Sequence, residues 1–170
     1  MISPDLTALE ALEISIRTEI DSQELYKDIA DQCKNEFLRE RFLNLMNEEK
    51  KHQSILIKMH KELFKEVELK IPPSQISRDE ILAKLYKPES ITDVIKFAIE
   101  KERKSREFYL DAAEIVQDLS GKRMFRYLAD MEFTHQMILN AELEMIEKYP
   151  AYFNHPIDYE IEQSFQKRKK

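Results

Sequence analysis

A single glycine, Gly121, serves all 170 residues. Sheets closed by tight hairpins draw on glycine for their turns, so its scarcity argues for long helices and few sharp reversals. Cysteine is equally scarce. Cys33 alone excludes an internal disulfide and any Cys-x-x-Cys iron or zinc site within these residues, and it fits a reducing cytoplasm. No apolar run approaches the roughly 18 residues that suggest a membrane span. Asp5, Glu10 and Glu13 make the N-terminus unlike a signal peptide. Positive charge is in deficit too. The formal net charge of −6 gives no support for nucleic-acid binding, and Lys167-Arg168-Lys169-Lys170 reads as a solvated tail.

What is present is charge and apolar surface in the proportions of amphipathic helices: 35% charged and 42% hydrophobic residues. The sequence is also duplicated. Glu132-Phe133-Thr134-His135 stands 83 residues after Glu49-Lys50-Lys51-His52. The same shift carries Glu19 to Glu102, Ser22 to Ser105, Tyr26 to Tyr109, Phe42 to Phe125, Leu45 to Leu128 and Leu56 to Leu139, with no gap from about residue 11 to residue 57. Each copy holds one lone glutamate and, 30 residues later, the Glu of a Glu-x-x-His. Within such a motif the carboxylate and imidazole share one helix face.

Apolar spacing of three, four and seven predicts four long helices. The first starts near Ser3 or Thr7 and runs to Gln32, with Leu9, Leu12, Ile16, Tyr26 and Ile29 inward. The second covers about 36–67, with Leu38, Phe42, Leu45, Leu56, Met59 and Leu63 inward. Residues 68–89 read as a crossover broken by Pro72, Pro73 and Pro88, with a short helix capped near Ser77 and ending about Leu85. The third helix, capped by Ser90 or Thr92, runs to about Asp118 with Ile95, Ile99 and Ala113 inward. Ser120-Gly121 then reads as a tight connection into a fourth helix from Lys122 to Lys148. An extension over 149–170 carries Tyr152, Phe153 and a short helix near 157–166. The expected fold is all-α: one domain, a four-helix bundle of two repeated hairpins (about 5–67 and 90–148) joined by a long crossover.

Glu19, Glu49, His52, Glu102, Glu132 and His135 all fall on inward stripes at mid-helix. Six ionisable groups are costly to bury as bare charges, and metal coordination compensates them. Mixed carboxylate and imidazole suits iron or manganese, whereas structural zinc favours thiolates. Two lone glutamates with two Glu-x-x-His motifs form the constellation of ferritin-like dinuclear bundles. In that arrangement Glu49 and Glu132 bridge two ions, Glu19 and His52 complete one, and Glu102 and His135 the other. A single Glu-x-x-His reads better as a surface pair on a charged helix; two copies on apolar faces at one repeat offset do not. Tyr26, Tyr109, Ser22 and Ser105 share the ligand faces and are candidates to support the ligands, against plain core packing. His60 and His155 lie outside the repeat and read as surface or packing residues, Asp130 and its counterpart Asn47 as solvated, and Cys33 as without a role.

Over about residues 5–148 the chain resembles the rubrerythrin branch of the ferritin-like di-iron proteins. The resemblance implies two iron ions, with manganese or a mixed pair as alternatives, held by the six residues above. It implies reaction of the diferrous centre with hydrogen peroxide or dioxygen. Two features depart from it. Typical rubrerythrins add a four-cysteine rubredoxin domain that this sequence lacks, so electrons must come from a separate, rubredoxin-like donor. They also place an additional glutamate one turn after the third-helix ligand, where this chain has Ser105.

The leading expectation is a cytoplasmic di-iron peroxidase that relieves oxidative stress, working as a homodimer with no membrane or nucleic-acid partner. The alternatives are a ferroxidase or other iron-handling protein, a dioxygen-activating oxidase or hydroxylase, and a helical interaction module with a vestigial site.

Overall fold

A computed structural model describes residues 7–33, 35–74 and 91–150. Four helices account for most of them: α1 (Ala8–Gln32), α2 (Glu36–Leu63), α3 (Ile91–Ile115) and α4 (Leu119–Lys148). The helix expected to end near Leu85, the Ser90 cap, the C-terminal helix and His155 lie outside the described residues.

Local chemistry sets the helix starts. At α1 the Thr7 hydroxyl accepts from the Glu10 amide while the Glu10 carboxylate accepts from the Thr7 amide at 2.9 Å, a reciprocal capping box. Asn35 caps α2 through the Leu38 amide, and Asp118 caps α4 through the Gly121 amide at 2.7 Å. That last cap revises the sequence reading. Ser120 and Gly121 lie in the first turn of α4, and the connection is Val116-Gln117-Asp118. Gly121 is buried there; a Cβ on it would stand 2.6 Å from Val116 Cγ1 and 3.2 Å from Met59 Cε. The glycine serves close packing rather than a turn.

Two more boundaries move inward. α2 stops at Leu63 instead of residue 67, because Phe64 leaves helical geometry and the chain folds back to lay Leu69 on the core. Leu63 itself is 36% exposed and outside the core stripe. α3 stops at Ile115, three residues short of Asp118, which is already committed to capping α4.

α1 packs chiefly on α2, and α3 on α4. The two hairpins meet head to tail. Ala11 and Leu12 from the start of α1 share an apolar cluster with Ala112 and Ala113 from the end of α3, and with Leu56, Met59, Phe125 and Leu128. A second cluster joins Ile29 and Ala30 from the end of α1 to Ile95 and Ala98 near the start of α3, with Leu38, Phe42, Leu139 and Ile146. α2 therefore ends at one end of the bundle and α3 begins at the other. The connection must travel the bundle's length, about 35–40 Å at 1.5 Å per helical residue. Its first part is tied down where the Lys70 amide donates to Glu13 at 2.8 Å.

The duplication is visible in three dimensions. Tyr26 meets Phe42 with ring centroids 6.0 Å apart, and Tyr109 meets Phe125 at 6.1 Å, one pair in each cluster. On every helix the polar positions fall between the two clusters: Glu19 and Ser22 between Ile16 and Leu25, Glu49 and His52 between Leu45 and Leu56. The same holds for Glu102 and Ser105 between Ala98 and Tyr109, and for Glu132 and His135 between Leu128 and Leu139. This is a ferritin-like four-helix bundle, with an apolar plug above and below one polar layer.

Candidate metal centre

All six sequence-predicted residues enter that layer, each no more than 2% exposed. Their ligand atoms form two overlapping groups, Glu19, Glu49, His52 and Glu132, then Glu49, Glu102, Glu132 and His135. Within each group the atoms lie within 4.8 Å of one another. Glu49 and Glu132, equivalent positions of the repeat, belong to both.

Both imidazoles turn Nδ1 toward the carboxylates. His52 Nδ1 lies 3.0 Å from Glu49, 3.4 Å from Glu132 and 3.7 Å from Glu19. His135 Nδ1 lies 3.4 Å from Glu49 and 3.5 Å from both Glu102 and Glu132. The two rings stack at 5.4 Å with planes 14° apart. These distances suit groups arranged around a common point better than a chain of pairwise hydrogen bonds. Both oxygens of Glu49 and Glu102, one of Glu132, and all four ring nitrogens are buried without a hydrogen-bond partner. Buried polar atoms left unpaired cost about 1–3 kcal/mol each, more when charged. So many in one layer fit a site built to surround cations.

The ionisation pattern has the same origin. Burial, then repulsion from Glu49, raises Glu19 well above the ordinary carboxylate range; burial, then repulsion from Glu132, does the same to Glu102. Burial also opposes the charge on Glu49, but the two imidazoles outweigh it and hold that carboxyl low. His52 is pulled down by burial and pushed up more strongly by Glu132, Glu19 and Glu49, to about 12. His135 moves in the same direction. Without metal, the imidazolium charges compensate the buried carboxylates; a bound cation takes over that compensation and displaces the protons.

The supporting residues separate by role. The Tyr109 hydroxyl donates to Glu19, crossing from the second repeat to the first. Its counterpart Tyr26 is fully buried with an unpartnered hydroxyl, so the two tyrosines are not equivalent. Ser22 donates to the Thr18 carbonyl and accepts from Lys101 of α3. Ser105 is buried at 7% exposure. Asp130 is exposed, as expected. His60 is a buried packing residue at the end of α2, its ring 5.9 Å from Phe64. Cys33 caps α1, its thiol pushed up to about 11 by burial.

Sequence reasoning passed over Gln23. Its amide donates to the Glu19 carbonyl at 3.1 Å and to Gln53 at 3.0 Å, tying α1 to α2 beside the first half of the layer. Lys101 was missed as well. The signal for Gln23 was present, since it lies one turn after Glu19, but a glutamine there looks like any surface residue.

A family model for rubrerythrin matches residues 10–143. The chain belongs to the rubrerythrin family. Its fold is shared by a hypothetical protein of Pyrococcus furiosus, 35% identical, covering 85% of this chain and 93% of that one with a TM-score of 0.72. A Thermotoga maritima protein assigned to the ferritin-like diiron-carboxylate class is 23% identical and covers 82% and 94%, with a TM-score of 0.65. Rhodobacter capsulatus bacterioferritin, solved with a metal-free dinuclear site and haem iron, has a TM-score of 0.70 over 92% and 99% at 17% identity. The last two likenesses speak for the fold alone. No curated protein matches the chain. Among the described residues of this rubrerythrin-family chain, no helix is long and apolar enough to cross a membrane.

Proposed function

We propose that this rubrerythrin-family chain is a non-haem di-iron oxidoreductase that reduces hydrogen peroxide. A separate donor, such as a rubredoxin-like protein, delivers the electrons. The observation that carries this reading is the buried layer of unpaired carboxylate oxygens and imidazole nitrogens contributed by all four helices. Glu49 and Glu132, common to both groups, would be shared by the two ions, Glu19 and His52 would complete the hold on one, and Glu102 and His135 on the other. Iron is the proposed occupant, with manganese or a mixed pair as alternatives. Two ferrous ions, when bound, supply one electron each to the oxidant.

The chain's own residues do the rest. The apolar clusters above and below shield the layer from water, which strengthens each charge interaction within it. Tyr109, held protonated by burial and by the nearby carboxylates, donates to Glu19 and fixes its orientation. The reading extends to a homodimer in a reducing cytoplasm; sedimentation of the purified chain checks the assembly.

Ser105 favours a second reading. The glutamate that rubrerythrins carry at this position is associated with their preference for peroxide, and a serine there suits ferroxidase or other iron handling, or dioxygen activation. Stopped-flow absorbance of the anaerobic diferrous protein, mixed separately with peroxide and with dioxygen, separates the two. Faster oxidation by peroxide supports the peroxidase; faster oxidation by dioxygen sinks it in favour of the second reading. Glu132→Ala is expected to abolish binding of the metal pair while helical content persists. Two metals per chain in that variant would refute the bridging role.

A further inference from the structure

The 83-residue repeat sets the outer faces of α2 and α4 side by side. On α4, Tyr127, Thr134, Met137, Ala141, Met145 and Tyr149 step by three, four or seven residues, so they run down one side of the helix. All six are exposed. Tyr127, Met137, Met145 and Tyr149 are between 45% and 56% exposed, and the Thr134 hydroxyl is spent on the Asp130 carbonyl within the helix, at 3.0 Å. Exposed Leu119 and Phe133 flank the stripe, with the Arg106 guanidinium 4.6 Å from the centroid of the Phe133 ring.

α2 is different at the same places. Tyr127, Thr134, Met137 and Ala141 correspond to Asn44, Lys51, Ser54 and Lys58, all exposed, and Leu119 and Phe133 to Glu36 and Lys50. The first hairpin turns a polar outer face to water, as an amphipathic helix should, and the second turns an apolar one. Contiguous apolar surface of this kind marks a contact site. The large side chains of the stripe and its flanks, about half exposed, offer on the order of 600 Å² per copy. A polar rim brings that close to the ~800 Å² each partner gives to a stable interface.

Charge says what the face fits. Lys122, Arg123 and Arg126 lie toward the start of α4 and Glu142, Glu144 and Glu147 toward its end, with Asp130 and Lys148 as exceptions. That order runs against the helix dipole, which favours acids at the start and bases at the end. Antiparallel, two copies of α4 bring the basic half of each onto the acidic half of the other; parallel, like charges meet. Arg126 pairs with Glu114, and Glu144 with Lys148, but both pairs are exposed, and such pairs contribute little and exchange readily.

We infer that the α4 stripe is the contact between two copies of this chain, laid antiparallel about a two-fold axis beside residues 135 and 136. Tyr127 of each copy then meets Met145 of the other, and Arg126 stands near Glu144. The inference gives a face to the homodimer proposed above and rests on that reading.

Sedimentation equilibrium of the full chain tests it, and a dimer is expected. Met137→Glu sets a carboxylate on the stripe of each copy and is expected to raise the dissociation constant at least about a hundredfold. Ser54→Glu, at the equivalent exposed position of α2, is expected to leave it unchanged. Met137 is exposed, so helical content is expected to persist, which circular dichroism checks. Arg126→Glu is expected to weaken the dimer about tenfold, and adding Glu144→Arg to bring it back within about threefold. A double variant as weak as the single one overturns the antiparallel pairing. A dimer that Met137→Glu leaves intact overturns the inference and leaves a homodimer on another face. A monomeric unaltered chain overturns both; hydroxyl-radical footprinting that finds Met137 and Met145 shielded in that monomer gives the stripe to residues 151–170 of the same chain instead. All of these outcomes leave the metal reading standing.

Discussion

Tyr26 and Tyr109 occupy equivalent positions in the repeat, yet only Tyr109 spends its hydroxyl on a carboxylate. The two therefore call for opposite expectations on losing that oxygen. Tyr109→Phe removes a buried hydrogen bond to Glu19 and is expected to cost about 1–2 kcal/mol. Tyr26→Phe removes a hydroxyl already buried without a partner and is expected to be neutral or mildly stabilising, by up to about 1 kcal/mol. Urea denaturation of the two metal-free variants side by side checks the contrast. Equal losses would show that the hydroxyls are equivalent in solution. The identity of both tyrosines, and their place two turns beyond a glutamate, was legible in the sequence. Which one reaches across the bundle was not, because that depends on the helix rotations after packing.

At the scale of the helix, α1 depends on its capping box. Thr7→Ala is expected to cost about 1 kcal/mol, read from the shift of a denaturation midpoint, since it strips an acceptor from the first turn. Glu10 carries the pH dependence of that cap. Its carboxyl is held below the usual range by the Thr7 amide and hydroxyl. The folded value is the lower one, so the contribution is present above the unfolded carboxylate value and fades as pH falls through the folded value. A Glu10→Gln variant should accordingly lose its difference from the unaltered chain at acidic pH. Gly121 gives a different lesson. Gly121→Ala gains helix propensity of up to about 1 kcal/mol but crowds Val116, and overpacking costs about 1–3 kcal/mol. A net loss of about 1 kcal/mol in thermal or urea unfolding is expected; a stabilised variant would show that Val116 yields freely. Reading Gly121 as a turn failed because glycine is useful for two unrelated reasons, backbone freedom and small size. Only the position of Val116 and Met59 says which applies.

For the molecule as a whole, a layer of six buried ionisable groups is a standing cost that the proposed metal pair would offset. Ferrous iron or manganese at about a thousand times its dissociation constant is expected to stabilise the fold by about 4 kcal/mol. For a chain of this size that is a rise of roughly 10 °C in Tm, reversed by a chelator. Differential scanning calorimetry with and without metal reads it directly, and an unchanged Tm would mean that the layer holds no ion tightly.

Much of this protein follows from the sequence alone. The helices, the duplication and the six residues of the buried carboxylate and imidazole layer are written in local spacing, because a 3.6-residue period fixes which side chains share a face whatever that face later packs against. Tertiary structure decided what periodicity cannot carry. It set the close approach at Gly121, the ends of α2 and α3, the bond from Tyr109 to Glu19, and the placement of Arg106 over Phe133 while Gln23 pairs with Gln53. Each of these depends on the rotation and depth of one helix against another. That is fixed by the sum of many contacts across the core, not by the order of residues along one strand of it.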